Sequence, residues 1–592
     1  MIKKVFRQML LSQIFSQIAI TICMLVDSIM IGRFLGVDAM AAYGFANPVL
    51  LVFTAIGGLI AAGLQVVCSG YLGKGDQESI NKVFSTTVII EFFICIVGIL
   101  AIFICLNPLT TLLGATKGTE VFGLTKEYLT GFIIGIPFFL GALLMMPFLQ
   151  MSGKQNVLII AVSALTIGDI LLDFLNVKIG LFGGGIFGMG LASSISYVLA
   201  FLVGLFFFFI KKDCPYKFKA KYFKLKEFIS VCRGGIPTTV NQISIVLLTL
   251  LVNNLLADLG DGGTIGVAAH SVIITIANLC YSFGTGVGAI TLMLGGIFYN
   301  EEDRKGIGSI IKLGLKYSII IDVIVVAVIF VLAGPIVNMF LNATGGGEGA
   351  ETVALATIGL RIFVLSILFC CVTAVYKGYC QGTEKMRLSA IISCLQNLVF
   401  PGLFAIILSS TALGAKGIWL GYVLGEATTL LTYYVICFIK NKRVSISPEA
   451  TALLPRDFGI KPEDYIEVAI LDEEAAIDAS IKAYDFCISH GATNKQATYF
   501  ALCVEEMTMN ILRFGFKKDN GNVVEMKFIH KDDSWILRIR DNCENFDPVK
   551  YFELHNDADP VAHIGIKMTF GLVSDANYVN SLGLNNLTLK IN

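Results

Sequence analysis

Twelve apolar runs, each long enough to cross a bilayer as a helix, constrain this chain more than any other feature. They fall roughly at 9–32, 42–68, 84–106, 128–151, 157–176, 186–210, 235–256, 266–292, 310–333, 353–376, 388–409 and 414–438. A mean hydropathy of +0.77 over 592 residues is too high for a soluble protein of this length and fits a polytopic membrane protein. The fold class expected is an all-α bundle of about twelve membrane helices, followed by a small α/β domain.

Charge placement orients the helices. Lys3, Lys4 and Arg7 precede the first run. The even-numbered connections carry Lys74 and Lys82, Lys154, Lys211 to Lys226, Arg304 and Lys305, and Lys377, Lys385 and Arg387. The odd-numbered connections are poor in Lys and Arg. The positive-inside rule then puts both termini in the cytoplasm, with an even number of spans. The basic start is followed by a run containing Gln13, Gln17 and Asp27 and by no A-x-A site, so a retained first helix is expected rather than a signal peptide.

The two halves repeat. Ala41-Ala-Tyr-Gly matches Ala268-Ala-His-Ser at an offset of 227, as do Gly57 with Gly284 and Asp76 with Asp303. Gly153 matches Gly382 and Gly188 matches Gly417, both at 229. Six spans per half give a repeat with the same membrane orientation twice. The lobes expected are 1–222 and 223–445, then a linker at 446–460 and a soluble domain at 461–592. Up to residue 454 there are 30 Lys+Arg against 22 Asp+Glu, and from 455 onward 14 against 22, so a basic membrane part carries an acidic tail.

The chemistry sits in Val157–Asn176. Asp169 and Asp173 lie four residues apart, which places both on one face of a helix. A carboxylate at mid-bilayer costs at least about 2.5–3.5 kcal/mol. The pair must therefore face a wet cavity, a cation, or each other around a shared proton, unless both snorkel from a helix end. Asp27 adds an acid from the first span. The other charges inside apolar runs are Glu91, Asp322, Arg361 and Glu426, read either as structural pairs with Lys316 or Arg361 or as solvated cleft groups. The 15 cysteines lie mostly inside apolar runs, with no CxxC spacing, and read as buried reduced thiols.

Met24-Leu-Val-Asp27-Ser-Ile-Met-Ile-Gly32-Arg-Phe-Leu-Gly36, Leu149-Gln150-Met-Ser-Gly153-Lys, Asp169-x-x-x-Asp173 and Gly185–Ala192 (GIFGMGLA) together resemble the multidrug and toxic compound extrusion (MATE) transporters over about residues 1–445. The resemblance implies two six-helix lobes around a central cleft. It also implies efflux of organic, often cationic compounds across the plasma membrane in exchange for H⁺ or Na⁺. Coupling acids would be Asp27, Asp169 and Asp173, with Asp169 standing where the family's proton branch has asparagine. The eleventh-helix stretch Cys394–Pro401 has amides and no acid, so coupling is expected in the first lobe. A lipid-linked saccharide flippase of the same superfamily is the alternative within transport.

In the tail, periodicity predicts strands at 465–471, 523–530, 535–540, near 578 and at 587–591, with helices at 473–490, 494–514 and 564–573. No G-x-x-x-x-G-K-[ST] occurs, so no P-loop motor is expected. Val504-Glu-Glu506-x-x-x-Asn510, Asp541-x-Cys-x-Asn-Phe-Asp-Pro548 and His563-Ile-Gly565 resemble the GHKL ATPases, in particular the anti-sigma-factor serine kinases. The resemblance implies Glu506 as the catalytic base, Asn510 as the Mg²⁺ ligand, Asp541 as acceptor for adenine, and Gly565 as a survivor of the phosphate loop. ATP and Mg²⁺ are the implied cofactors. A small organic substrate, the lipid bilayer and a cytoplasmic regulatory protein are the implied partners, and no nucleic acid. Cys543 and Asn545 replace family glycines, and added Cβ atoms at positive φ would strain the loop. The residues leave open both a membrane sensor with an active kinase tail and a regulatory module without turnover.

Overall fold

The computed structural model describes residues 2–113, 117–210, 216–259, 263–340, 348–442, 445, 447–455, 457–516, 521–531, 533–555 and 564–591. Among these, ten single helices are long and apolar enough to span a bilayer, and two bent pairs bring the number to twelve.

The first half comprises α1 (Ile2–Met30, extended by a wide turn to Leu35), α2 (Val37–Lys74), α3 (Gln77–Leu112), α4 (Glu120–Ile133), α5 (Ile136–Met151), α6 (Gln155–Ile179) and α7 (Ile186–Leu205). The second comprises α8 (Leu225–Ala257), α9 (Gly263–Asn300), α10 (Arg304–Phe340), α11 (Glu348–Val364), α12 (Ile367–Gly382), α13 (Met386–Cys394) running through Leu395–Val399 into α14 (Phe400–Ser409), and α15 (Ala415–Asn441). The bent pairs are α4–α5, at 49°, and α11–α12, at 42°. Pro137 at the start of α5 has no N–H for the preceding turn, which breaks the helix there. The second break has no proline; its turn is tightened by Leu365 N–H to Ile362 O and Ser366 N–H to Phe363 O.

The repeat extends to the corners. After α2, Gly75 takes φ +73° and Asp76 Oδ1 accepts Ser79 N–H at 2.9 Å. After α9, Glu302 takes φ +56° and Asp303 Oδ1 accepts Gly306 N–H at 2.9 Å. Each acid caps the next helix in the same way.

At one end of the bundle the two halves are packed together. A single apolar core there joins Phe6, Leu64, Phe84, Phe148, Val231 and Leu294 with Tyr379 and Tyr433, and it takes in Val579 and Leu584 of the tail. At the other end each half has its own core, around Tyr128 and Phe132 in the first and around Trp419 and Phe363 in the second. The closed end is built on glycines. A Cβ on Gly63 would lie 1.9 Å from Val231 O, and one on Gly235 would lie 2.1 Å from Leu59 O. Small residues here let α2 cross α8 with the backbones in contact.

After α15 the chain does not hang free. In and beyond the short α16 (Pro448–Thr451), Thr451 O accepts the Tyr433 hydroxyl at 2.7 Å and Ala452 O accepts the Tyr379 hydroxyl at 2.8 Å. Phe458 stacks on Tyr299 with ring centroids 5.0 Å apart.

The tail contains β1 (Tyr465–Ile470), α17 (Glu473–Ser489), α18 (Asn494–Asn510), β2 (Val524–Lys531), β3 (Ser534–Asp541), α19 (Pro548–His555), α20 (Ile564–Leu572), β4 (Asp575–Ser581) and β5 (Leu584–Ile591). The five strands are ordered β1-β2-β3-β5-β4, every neighbouring pair antiparallel. α17 and α18 cover one face with Phe486, Phe500 and Val504. Helix α19 went unread in the sequence; Asp547 Oδ1 accepts Lys550 N–H at 3.0 Å, and Pro548 opens the helix where its missing donor costs nothing.

Candidate functional site

Asp27 from α1 and Asp169 and Asp173 from α6 converge. One carboxylate oxygen from each lies within 4.8 Å of the others. The four-residue spacing sets Asp169 and Asp173 on the face of α6 that packs against α1, and Asp27 sits one turn before the wide turn Ile31–Leu35. Asp169 is 4% exposed and Asp173 0%. Oδ1 of Asp27, Oδ1 of Asp169 and both oxygens of Asp173 have no hydrogen-bond donor among the described residues. The cluster is buried, not a set of acids snorkelling from a helix end. An uncompensated carboxylate in such surroundings is costly, so the arrangement calls for protons or a cation.

Residues that sequence reasoning did not select complete the site. Cys23, Ser193 and Ser196 lie beside Asp169, while Tyr43, Tyr128 and Tyr197 lie within electrostatic reach of the acids. The Tyr43 and Tyr128 rings meet edge to face at 5.3 Å. The polar residues of α7 had a signal: Ser193, Ser194 and Ser196 cluster in a largely apolar run. The tyrosines had none. GIFGMGLA is a packing device. Asn176 Nδ2 donates to Gly185 O and its Oδ1 accepts Gly184 N–H, and a Cβ on Gly188 would meet Asn176 Oδ1 at 2.1 Å.

The second half holds a polar chain of its own. Lys377 Nζ donates to Asn241 Oδ1 at 2.8 Å and to Gln396 Oε1 at 3.0 Å. Gln396 Nε2 donates to Glu426 Oε2 at 2.9 Å and Oε1 at 3.2 Å. This corrects two expectations. Lys377 is not a connection residue but part of α12, and Glu426 pairs with neither Lys316 nor Arg361 but with Gln396. Arg361 instead donates to Phe330 O at 3.3 Å. Glu91 Oε1 and both oxygens of Asp322 are buried without a partner among the described residues.

In the tail, Glu506 and Asn510 lie one turn apart on α18, and Gly565 at the start of α20 lies against them. A Cβ there would meet Glu506 Oε2 at 2.1 Å and Asn510 Nδ2 at 3.8 Å. Asp541, at the end of β3, accepts Cys543 N–H at 2.9 Å and Asn585 Nδ2–H at 2.8 Å. It forms one wall of a cavity of about 300 Å³, with Asn510, Phe514, Phe546, Tyr551 and Tyr578 among the others. So Asn510 and Asp541 share a cavity, with Glu506 and Gly565 packed beside it. The strain expected at Cys543 and Asn545 is absent, because neither has positive φ. The Cys543 side chain turns into the domain core, and Asn545 accepts the Tyr578 hydroxyl at 2.6 Å. His563 lies outside the described residues.

A family model described as MatE matches residues 13–175 and 237–407, more than half of the chain. The chain belongs to the MatE family. The match falls on both halves of the repeat and ends before the tail. A probable multidrug resistance protein, YoeA of Bacillus subtilis strain 168, is 26% identical over 424 residues, covering 69% of this chain and 88% of that one. A probable multidrug resistance protein NorM of Listeria monocytogenes is 24% identical over 419 residues, covering 69% and 86%. A multidrug resistance MATE family transporter solved in an outward-facing conformation superposes with a TM-score of 0.68 at 21% identity, covering 73% of this chain and 94% of that one. That likeness concerns the fold. The protein is thus a multi-pass MatE membrane transporter with an additional sheet-containing tail.

Proposed function

We propose that this chain is a secondary antiporter of the plasma membrane that exports organic, cationic compounds in exchange for H⁺ or Na⁺. One observation carries the reading: two buried carboxylates, Asp169 and Asp173, and the half-buried Asp27 meet with unbonded oxygens inside the first lobe. Such a cluster binds and releases positive charge, which is what coupling needs. The relatives named for multidrug resistance support a drug-like substrate. The start of α1 and the tail both lie at the closed end of the bundle, where Arg7 Nε donates to the Tyr317 hydroxyl and Val579 and Leu584 join the core. The Lys and Arg alternation assigns that end to the cytoplasm.

The tail is read as a GHKL-like regulatory module. The cavity beside Asp541 has the size and aromatic walls for a flat base, and Asp541 is an acceptor for an exocyclic amine. If Mg-ATP binds, Asn510 would hold the metal and Glu506 would stand as base beside it. Transport of a fluorescent cation into inverted vesicles, with a proton gradient and a sodium gradient imposed separately, tests the coupling. Uptake driven by neither gradient would sink the antiport reading.

A further inference from the structure

The open face of the tail sheet is set against the corners of the membrane part. On the second lobe, the corner between α9 and α10 supplies three acids in a row. Arg540 Nη2 meets Glu301 Oε1 at 2.5 Å, Lys531 Nζ meets Glu302 Oε2 at 2.6 Å, and Lys527 Nζ meets Asp303 Oδ2 at 2.5 Å. Arg540 also lies over the Phe298 ring, 5.4 Å from its centroid. On the first lobe the contacts are uncharged. A Cβ on Gly75 would meet Asn577 Nδ2 at 2.5 Å. Gly153 lies flat against Leu582 and Gly583, and Leu582 N–H donates to Met151 O at 2.5 Å. Val579 and Leu584 join the apolar core in which both lobes meet.

Gly75–Asp76 and Glu302–Asp303 occupy the same place in the two repeats. One small rigid sheet therefore ties together equivalent corners of the two lobes, at the end where the lobes are already closed. Transporters built on such repeats work largely by rocking one lobe against the other around a central site. Opening this end must move those two corners apart. A five-stranded sheet bonded across all its strands cannot stretch to follow.

We propose that the tail is a lock on the transport cycle: docked, it holds the two lobes shut at its own end, and the chain can open there only after the sheet leaves at least one lobe. The second-lobe side is the side that releases, because it is held by charges that water can replace. The first-lobe side is held by backbone contact and apolar burial, which change little with solution conditions.

The test uses the full chain with fluorophores attached through azido amino acids at exposed positions. Labels at Glu78 and Arg387 report the separation of the lobes at this end, and labels at Arg387 and Glu474 report whether the tail is docked. The reversal Lys531→Glu with Arg540→Glu should lengthen the tail distance. It should also raise the population with separated lobes roughly tenfold. Adding Glu301→Arg and Glu302→Lys rebuilds both pairs with opposite signs and should return both distances to their original values. A tail that leaves while the lobes stay closed overturns the proposal. So does a tail that stays docked in the reversal variant, or a reversal effect, misfolding included, that the rebuilt pairs fail to rescue.

Discussion

Arg540 and Asp541 are neighbours on β3 and face opposite sides of the sheet. Arg540 reaches Glu301 on the membrane part at 2.5 Å, and Asp541 takes the Asn585 amide at 2.8 Å beside the tail cavity. Their partners across the strand pair, Asn586 and Asn585, divide in the same way: Asn586 Oδ1 accepts from Arg540 Nε at 2.7 Å. Strand alternation thus puts a ligand wall and a docking contact one residue apart.

That placement governs the tail prediction. Mg-ATP titrated into the full chain should bind weakly, through adenine, or not at all, with little or no phosphate release. Asp541→Asn should remove whatever binding there is, because an amide can turn a donor toward the amine. Micromolar affinity with steady phosphate release would show that the loops still cradle phosphate, and would favour a sensor with an active kinase tail.

Asp27→Asn and Asp173→Asn should each lower ion-driven transport at least about tenfold while leaving the protein folded, since an amide keeps the shape but cannot exchange a charge. Asp169→Asn should be milder, because Cys23, Ser193 and Ser196 already face that side chain. Vesicle transport under each imposed gradient reads the difference. If Asp169→Asn alone were inactivating, the coupling pair would be misassigned.

The Lys377–Gln396–Glu426 chain should behave as a unit. Lys377→Met leaves Glu426 without its counter-charge and should cost about 3 kcal/mol, the usual scale for breaking a buried pair. Lys377→Met with Glu426→Gln should recover most of that loss. Thermal unfolding in detergent of the two single variants and the double variant measures the coupling; strictly additive losses would show that Gln396 insulates the two charges.

Docking should respond to acid. Burial alone would raise the Asp303 carboxyl, but the Lys527 charge and hydrogen bond and the Gly306 N–H more than offset it, and its pKa lies below the ordinary value. Undocking removes Lys527 and returns Asp303 toward that ordinary value. The contribution is therefore complete above the ordinary carboxylate range and is lost as pH falls through the lowered, docked value. Lys527 is shifted upward: burial works against its charge, and Asp303 and Glu467 outweigh it. Its contribution is complete below the ordinary lysine value and fades only as pH rises through the raised one. The tail distance should stay constant through neutrality and lengthen only as pH falls below the ordinary carboxylate range. Asp303→Asn should flatten that acid limb.

Gly63→Ala tests the closed end without touching the tail. The new methyl would overlap Val231 O, which is backbone and cannot rotate away, so a cost of about 1–3 kcal/mol is expected. An unchanged melting temperature would mean that α2 and α8 are less tightly crossed than described.

The sequence by itself determined the places of the apolar spans, the repeat, the spacing of Asp169 and Asp173 on one helix face, and the strand and helix order of the tail apart from α19; it did not show that several helices run well past their apolar runs or that two spans are bent. The determined features follow from local rules: apolar length against bilayer thickness, and helical and strand periodicity. What tertiary structure decided lies between elements. That Asp27 meets Asp169 depends on the packing of α1 against α6. That Lys377 joins Gln396 rather than water depends on how far α12 runs before it ends. Gly63 and Gly235 read as ordinary glycines until the backbone each one touches is known. The basic face of the tail sheet reads as solvated charge until the three acids of the α9–α10 corner are placed opposite it. Periodicity carries information a few residues along the chain, whereas packing is settled by contacts hundreds of residues apart, and no single pattern in the sequence encodes those.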